Sequence, residues 1–455
     1  MRRHPIGNGM CAPRIPRELA ALIAALQLRG ATTEALLELE EREWGSLLQF
    51  CELAHLTLRL AQVEANGFPL WVVERLKKNS DDNAARFERV KATYREAADA
   101  MAHAGVEHIV LKGFTQAPEY VKDAYLRVQS DLDIYCPKEM IDRAKTALMN
   151  IGYLPEQTMD YSRADHLPTM IRPSDWQWRG NTFDPDMPLS IELHFCLWNE
   201  NVYDLSVPEV EHFWEHRIER TLGDISFPAL APADHLAYLA LHILRCLVNE
   251  DWVIHHVHEL ATFLHRHAED EEFWRAWKRT HSDSFRALQA IAFSHARSWF
   301  CCAVHEDVLE VCQQLDPKIQ EWLHRFTGSS LERMFRRNKS GVWLHTALIS
   351  SPEKKRRLLK RALMPSRIPG MGAPAVPLEN RRLRRIGRSN PYIAYMAYIA
   401  SRFTVYARLI PETLYQGLSL WWSRRQLKKQ FWTFLVASFF LTGACQSTSF
   451  CSICF

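Results

Sequence analysis

Two aspartates lie one residue apart in the segment RVQSDLDIYCP, residues 127–137. The apolar residues around Asp131 and Asp133 predict a buried strand, and side chains two positions apart on a strand point to the same face. Two carboxylates this close repel each other, and burying them without a partner costs free energy. The pair therefore lies either at a solvated edge or beside a cation.

A third carboxylate occurs in another predicted strand, LSIELHFCLW, residues 189–198. Glu192 has the apolar residues Ile191 and Leu193 on either side, and His194 shares its face. Mg²⁺ prefers oxygen ligands, usually one or two carboxylates with phosphate oxygens and water. Three acids on neighbouring strands could hold two such ions, which neutralise a triphosphate and align an attacking hydroxyl with its leaving group.

The segments that position these residues predict a small α/β unit. VEHIVLKGF (106–114) predicts a short buried strand with a helix-like stretch after it, and KEMIDRAKTALMNIGY (138–153) predicts an amphipathic helix. Apolar residues at three- and four-residue spacing predict helices on both sides, including a long one from about Asp82 to Ala104 and another from Pro232. The predicted fold class is α+β, with a small mixed-sheet core embedded in a largely helical protein.

The combined motifs resemble the uncharacterised nucleotidyltransferase family of the polymerase-beta-like superfamily. The resemblance covers roughly residues 100–270, through IVLKGFTQAPEYV, LRVQSDLDIY, ALMNIGY, IELHF, APADHLAYLALHILR and VHELATFL. The family's Lys-Gly, arginine, Ser-Asp-x-Asp and Glu-Leu-His pattern is matched residue by residue. It implies a nucleotidyltransferase-like core that uses an NTP as substrate and Mg²⁺ or Mn²⁺ as cofactor.

The resemblance also implies roles for individual residues. Asp131, Asp133 and Glu192 would be the catalytic residues and the metal ligands. The nucleotide and its phosphates would be bound by Lys112, Gly113, Thr115, Arg127, Ser130 and His194. In the superfamily the glycine opens a helix beneath the phosphates and a serine follows it, whereas Phe114 follows the glycine here. The helix amino terminus would still offer a phosphate site.

Several of these residues have alternative interpretations. Lys112 and Arg127 would clamp a triphosphate, but Arg127 could instead neutralise Asp131. Glu192 could be an exposed acid of an edge strand, although its two aspartate neighbours favour the functional interpretation. His194 is equally well explained as a packed, hydrogen-bonded histidine or as an active-site residue.

Two helical segments further along the chain also carry histidines. HHVHE, residues 255–259, has His255 and Glu259 one helical turn apart, but it lacks a third ligand at suitable spacing, so a polar helix face is favoured over a metal site. His242 and Arg245 lie on a predicted helix that could cover the nucleotide, although a role in the core and its rim is favoured.

Charge is unevenly distributed along the chain. The formal net charge is +3, yet residues 331–390 hold sixteen Lys or Arg against three Glu and no Asp, a net of +13. Together with the aromatic residues after it, this segment favours contact with an anionic membrane surface through residues 331–430; nucleic acid is a less favoured partner. The apolar run at 431–444 is too short to span a bilayer as a helix.

The cysteines and the start of the sequence bear on the compartment. Eleven cysteines are scattered, and the pairs Cys301–Cys302 and Cys451–Cys454 do not form the ligand spacing of a structural zinc site. The first residues contain no apolar segment of signal-peptide length. The predicted location is the cytoplasm, peripheral to the inner membrane.

We predict five parts of the chain: an N-terminal helical region (1–105), the nucleotidyltransferase-like core (106–225), a helical domain (226–345), a basic Pro/Gly-containing linker (346–390) and an apolar aromatic C-terminal segment (391–455). With the resemblance, the predicted activity is Mg-dependent transfer of a nucleoside monophosphate from an NTP such as ATP to a hydroxyl acceptor, in polysaccharide or natural-product biosynthesis. The alternatives are a catalytically inactive regulatory or scaffold protein that docks on a membrane or partner, and an RNA-modifying enzyme.

Overall fold

The computed structural model describes residues 15–64, 66–156, 164–363 and 403–423. The chain divides into two compact units, Met1–Phe335 and Arg336–Phe455. The five-part division stays a prediction. Three sequence features lie outside the described residues: the Pro/Gly-rich part of the predicted linker, the apolar run at 431–444 and the pair Cys451–Cys454.

A seven-stranded mixed sheet lies in the first unit, in the order β3-β4-β5-β2-β1-β7-β6. Its strands are β1 (Ile109–Val110), β2 (Asp131–Tyr135), β3 (Leu154–Pro155), β4 (Met170–Ile171), β5 (Ser190–His194), β6 (Ile218–Leu222) and β7 (Ile225–Ala229). The central strands β2 and β5 are parallel, and β1 is antiparallel to β2 and parallel to β7. Helices precede and follow the strands along the chain, so the predicted α+β class is confirmed.

The two central strands alternate between apolar and polar side chains. Leu132 and Ile134 on β2, with Ile191 and Leu193 on β5, are completely buried. Since successive side chains of a strand point to opposite faces, these residues share the core face of the sheet. The acids between them lie on the other face.

The helices of the first unit are α1 (Arg17–Ala25), α2 (Glu34–Leu37), α3 (Glu41–Leu53), α4 (Thr57–Leu60), α5 (Leu70–His103), α6 (Ile141–Asn150), α7 (Glu200–Tyr203), α8 (Pro232–Asn249), α9 (Ile254–Arg266), α10 (Glu271–Thr280), α11 (Asp283–Phe300), α12 (Glu306–Gln313), α13 (Pro317–Phe326) and α14 (Ser329–Glu332). The predicted start of a helix at Pro232 is confirmed, because this proline occupies the first turn of α8.

The second unit contains α15 (Gly341–Leu348), α16 (Pro352–Leu363) and a helix at 403–423. The indole of Trp343 donates a 3.0 Å hydrogen bond to the carbonyl of Thr413, which holds α15 against the last helix. On α16, Leu358 and Ala362 are buried while most of the basic side chains face solvent. Among the described residues, no helix combines the length and apolar character that crossing a bilayer requires.

Sequence analysis missed the hairpin of β6 and β7. Leu222 pairs with Ile225, so the connection is a two-residue loop of Gly223 and Asp224, and Gly223 has φ +59°. Positive φ at the first loop position is what the tight turns of two-residue hairpins require. Arg220 on β6 donates hydrogen bonds to the carbonyls of Thr115 (2.7 Å) and Ala117 (2.5 Å), which fixes the loop after β1.

Helix α5 begins at Leu70, twelve residues before the predicted start. The buried side of this helix includes the polar residues Asn79, Asn83 and Arg86. They interrupt the apolar periodicity from which the start of the helix was predicted. The Asn83 amide donates to the carbonyls of Tyr125 (2.6 Å) and Arg127 (3.2 Å) in the approach to β2.

Arg86 ties α5 to the entries of both central strands. Its guanidinium donates to the carbonyls of Gln129 (2.9 Å), Met187 (2.7 Å) and Asp184 (3.2 Å), and the residue is 1% exposed. Gln129 precedes β2, and the other two carbonyls precede β5. One buried cation therefore sets the spacing at which the acid-bearing strands begin.

Replacement of Arg86 by methionine should destabilise the fold. Arg86→Met removes three charge-assisted hydrogen bonds and leaves buried carbonyls without donors, so the free energy of unfolding should fall by on the order of 3 kcal/mol. Denaturant titration measures this loss. Arg89→Met, one turn away, is the control, since Arg89 is 45% exposed and 3.4 Å from Asp186. Its effect should stay within about 0.5 kcal/mol; equal losses in both variants would contradict the assigned role.

Candidate active site

The register of β2 and β5 brings the predicted acids together. Asp131 lies opposite Ser190, Asp133 opposite Glu192, and Tyr135 opposite His194. Residues paired in adjacent parallel strands share a face, so Asp131, Asp133, Glu192 and His194 all project from one surface. The sequence placed these four residues on two strands, and the structure sets the strands side by side.

Asp133 is the most enclosed of the three acids, with a side chain 4% exposed. Its Oδ1 lies 2.7 Å from Lys112 Nζ and 3.0 Å from His194 Nε2. Burial by itself would raise the pKa of this carboxyl, but Lys112 and the hydrogen bond from His194 hold it well below its usual range. Asp133 is therefore an anion at every physiological pH.

Glu192 is half-buried and lies among like charges. Its Oε1 accepts a 3.3 Å hydrogen bond from Thr169, and its Oε2 lies 3.7 Å from His166 Nε2. Burial raises the pKa of Glu192 to about 7, with further contributions from Asp133 and Asp131. The pKa of Asp131 is raised by the same two causes, burial first and then Asp133.

The donor set fits a divalent cation. Asp133, Glu192 and His194 each offer a ligand atom, and these atoms all lie within 4.8 Å of one another. Burial is the main cause of the raised pKa of Glu192, and Asp133 and Asp131 add to it; a bound cation would relieve the repulsion among the three carboxylates. His194 joins this group, although the sequence placed it with the nucleotide; Asp131 is on the same face and stays a predicted ligand.

Asp165 and Arg245 lie on the Nδ1 side of His194, opposite the Nε2 atom that contacts Asp133. Asp165 Oδ1 lies 3.7 Å from His194 Nδ1, and its other oxygen is bound by Arg245 on α8. Arg245 also donates a 2.8 Å hydrogen bond to His242 Nδ1. Sequence analysis missed Asp165, because it lies in a loop with no periodic pattern and its partners are 29 and 80 residues away.

A directional chain of hydrogen bonds continues from Arg245 into the core. Arginine only donates, so His242 accepts at Nδ1 and carries its proton on Nε2. That proton points to His256 Nε2 at 3.1 Å, and His256 Nδ1 donates to Glu259 at 3.3 Å. Burial, the largest cause, lowers the pKa of both histidines, so each is neutral in a single tautomer. The HHVHE segment thus lies in the core rather than on a polar face, and none of its residues belongs to the candidate metal group among the described residues.

Other predicted phosphate ligands have partners within the protein. Arg127 Nε donates a 2.8 Å hydrogen bond to Glu259, which is neither a phosphate nor the alternative partner Asp131. Thr115 is 1% exposed and donates to the Leu111 carbonyl at 3.4 Å. Ser130, next to Asp131, is exposed. Of these three residues, Ser130 is exposed, Arg127 is partly buried and Thr115 is buried.

Gly113 has a steric role that the structure makes explicit. Its φ is +75°, and a Cβ placed there would lie 2.1 Å from Gln129 Nε2, which donates a 2.8 Å hydrogen bond to the Asp131 carbonyl. The glycine leaves room for the amide that fixes the start of β2. The helix expected after it is a buried four-residue 3₁₀ turn, Gly113–Gln116, so the predicted phosphate-binding helix terminus is not formed.

Stability of the metal-free protein should depend on pH through Glu192. Its folded pKa of about 7 exceeds the ordinary value of 4.5, so protonation favours the folded state. The contribution is complete below about pH 4.5 and is lost as pH rises through 7. Glu192→Gln should therefore raise Tm at pH 8 and flatten its pH dependence, measured by thermal unfolding with chelator. Glu219→Gln, on exposed β6, is the control; equal Tm values for wild type and Glu192→Gln at pH 8 would refute the assignment.

Gly113→Ala should cost more than an ordinary glycine replacement. Positive φ alone costs roughly 1–2 kcal/mol for alanine, and the added Cβ also displaces Gln129. Gly105→Ala is a matched control, because Gly105 has φ +63° with nothing within 4 Å of its Cβ position. We expect Gly113→Ala to lose at least about 1 kcal/mol more than Gly105→Ala in denaturant unfolding. Equal losses would mean that Gln129 moves aside without cost.

The chain was compared with protein families, curated proteins and solved structures. Neither the curated proteins nor the solved structures give a match. A sequence model of a family described as uncharacterised nucleotidyltransferase matches residues 40–301, more than half of the chain and all seven strands of the sheet. The protein, with its acids, Lys112 and His194 inside the matched segment, therefore belongs to the uncharacterised nucleotidyltransferase family.

Proposed function

We propose that the protein transfers a nucleoside monophosphate from an NTP to a hydroxyl acceptor and releases pyrophosphate. The observation that carries the proposal is the convergence of Asp131, Asp133 and Glu192 on one sheet face, with Lys112 Nζ 2.7 Å from Asp133. Family membership supports nucleotidyl transfer in general. The metal, the nucleotide and the acceptor are specific to this proposal.

The three acids would hold Mg²⁺ or Mn²⁺. Carboxylates are the ligands that these ions prefer, and a bound ion would neutralise the triphosphate and align the acceptor with its leaving group. His194 lies close enough to serve as a further ligand or to keep Asp133 in place through its hydrogen bond. Asp165 and Arg245 orient its ring from the other side.

The transfer step places negative charge on the phosphates and releases the proton of the acceptor hydroxyl. The acceptor oxygen forms a bond to the α-phosphorus while the bond from that phosphorus to the bridging oxygen breaks, and pyrophosphate leaves. Lys112 is the cation placed to stabilise charge on the phosphates. Glu192 would either complete the ligand set of the metal ions or accept the acceptor's hydroxyl proton. Arg127 would assist only after exchanging its Glu259 partner for a phosphate.

The acceptor that we propose is a biosynthetic intermediate at the inner face of a membrane, with ATP among the candidate donors. Support comes from residues 331–390, whose net charge is +13. The part of this segment in α16 exposes Arg356, Arg357 and Lys360 to solvent. An anionic lipid surface attracts such a helix.

A second candidate function is that of a non-catalytic regulatory or scaffold protein. The observation that favours it is the internal saturation of the site: Lys112 and His194 both bind Asp133, and Arg127 is bound to Glu259. Thr115 is buried as well. Such a protein would retain the fold and use it to bind a nucleotide or a partner without turnover.

Loss of the two strand carboxylates tests both candidates. In Asp131→Asn/Asp133→Asn we expect stabilisation by Mg·NTP to disappear and transfer of α-labelled phosphate to fall roughly 100-fold or more, as when groups that stabilise transition-state charge are removed. Thermal unfolding and label transfer to a panel of hydroxyl compounds measure the two effects. Asp99→Asn, an exposed acid on α5, is the control.

The outcomes separate the candidates. Stabilisation of the wild type with labelled product supports the enzyme, and stabilisation without product supports the scaffold. If Mg·NTP does not stabilise the wild type, the transferase proposal fails and a scaffold that docks on a partner is favoured.

A further inference from the structure

A groove of about 730 Å³ lies in the first unit, apart from the carboxylate face. It is formed by the end of α1 and the residues after it, by α4, by the loop after β1 and by α9. Its charged lining residues are Glu34, Arg59, Glu64, Lys122 and Arg266. None of the candidate catalytic residues lines it, so it does not belong to the site described above.

Arg59 forms the inner wall of this groove. It is 8% exposed, and its Nη2 lies 3.7 Å from Glu259 Oε1, too far for a hydrogen bond. Within the described part of the chain its guanidinium donates no hydrogen bond, although it has five N–H donors. Buried guanidinium groups ordinarily satisfy their donors, whereas the partner of this one among the described residues is Glu259 at 3.7 Å.

The charges around Glu259 do not balance. Its carboxylate is shared between Arg127, hydrogen bonded at 2.8 Å, and the more distant Arg59. Burial lowers the pKa of His55 to about 4 and that of His258 to about 3. Both imidazoles are therefore neutral and do not change the charge around Glu259. Two buried guanidiniums therefore share the Glu259 carboxylate, while the acids that line the groove itself, Glu34 and Glu64, are exposed.

Two further cations lie at the groove's rim. Lys122 is exposed, and Arg266, 41% exposed, donates to the Pro118 carbonyl and lies 3.9 Å from Glu119. Three cations thus approach the groove from α4, the loop after β1 and α9. Guanidinium and ammonium groups that converge on one cavity bind phosphate and carboxylate groups.

We propose that this groove is a second ligand site, which binds a small molecule through a phosphate or carboxylate group placed against Arg59. The group would accept hydrogen bonds from the Arg59 guanidinium and add negative charge beside the two arginines that share Glu259. The site lies apart from the acid face, since it shares no lining residue with it. Glu259 binds both Arg59 and Arg127, so an anion in the groove would act on the residue pair that holds the approach to β2.

Inorganic phosphate and succinate are the probes, titrated separately by calorimetry into the full-length protein with chelator and without nucleotide. We expect one of the two to bind saturably, which identifies the preferred group. Arg59→Gln should weaken that binding about tenfold or more, as expected for a lost charge-assisted hydrogen bond. Because Arg59 is buried and its replacement could impair folding, Lys122→Ala and Arg266→Ala test the rim, where each should weaken binding several-fold.

Controls locate the binding. Arg275→Ala, on the exposed side of α10, should leave the affinity unchanged. Asp131→Asn/Asp133→Asn should also leave it unchanged, which separates this site from the proposed transferase site. The proposal is overturned if neither anion binds, if the groove variants bind as the wild type does, or if only Lys112→Met abolishes binding.

Discussion

Parallel pairing of β2 with β5 sets Asp133 directly beside Glu192, and two carboxylates in that position repel each other unless a cation lies near them. Residues at two other positions of the chain contact one of these carboxylates. Lys112 at the end of the β1 segment and His194 on β5 both contact Asp133, while Glu192 keeps a raised pKa. Asp133 thus has a cationic and a hydrogen-bonding partner, whereas burial and the nearby aspartates both disfavour the charged form of Glu192; a pKa perturbed in this way is typical of functional sites.

Support for these strands comes from residues far away in sequence. Asp165, which Arg245 binds, lies 3.7 Å from His194 Nδ1, and a hydrogen-bonded chain runs from Arg245 through His242 and His256 to Glu259 in the helical part of the unit. Each link has one donor and one acceptor, so the histidines are fixed in their tautomers without any net charge of their own. The helical part of the chain is therefore more than a cover for the sheet, because Arg245 on α8 binds the aspartate that lies beside His194.

The sequence predicted those parts of the site that depend on local pattern. Strand alternation placed Asp131 and Asp133 on one face and Glu192 and His194 on another strand, and the α+β class followed from the change of periodicity along the chain. Contacts between distant segments left no such signal. The pairing of Arg127 with Glu259, 132 residues apart, and the support from Asp165 are examples. Helix α5 was predicted too short for a related reason: the polar residues on its buried side serve tertiary hydrogen bonds and interrupt the apolar spacing.

The Arg86 contacts have a consequence for the substitutions that this chain can accept. All three acceptors are main-chain carbonyls, a group that every residue type supplies. The side chain of Met187 can therefore change without loosening the alignment of the two acid-bearing strands, whereas Arg86 itself has no substitute of equal reach and donor number. Side chains in the segment before β5 can therefore be replaced without loss of these hydrogen bonds, which would change the surroundings of the acids. Replacement of Arg86 on α5 would remove all three hydrogen bonds at once.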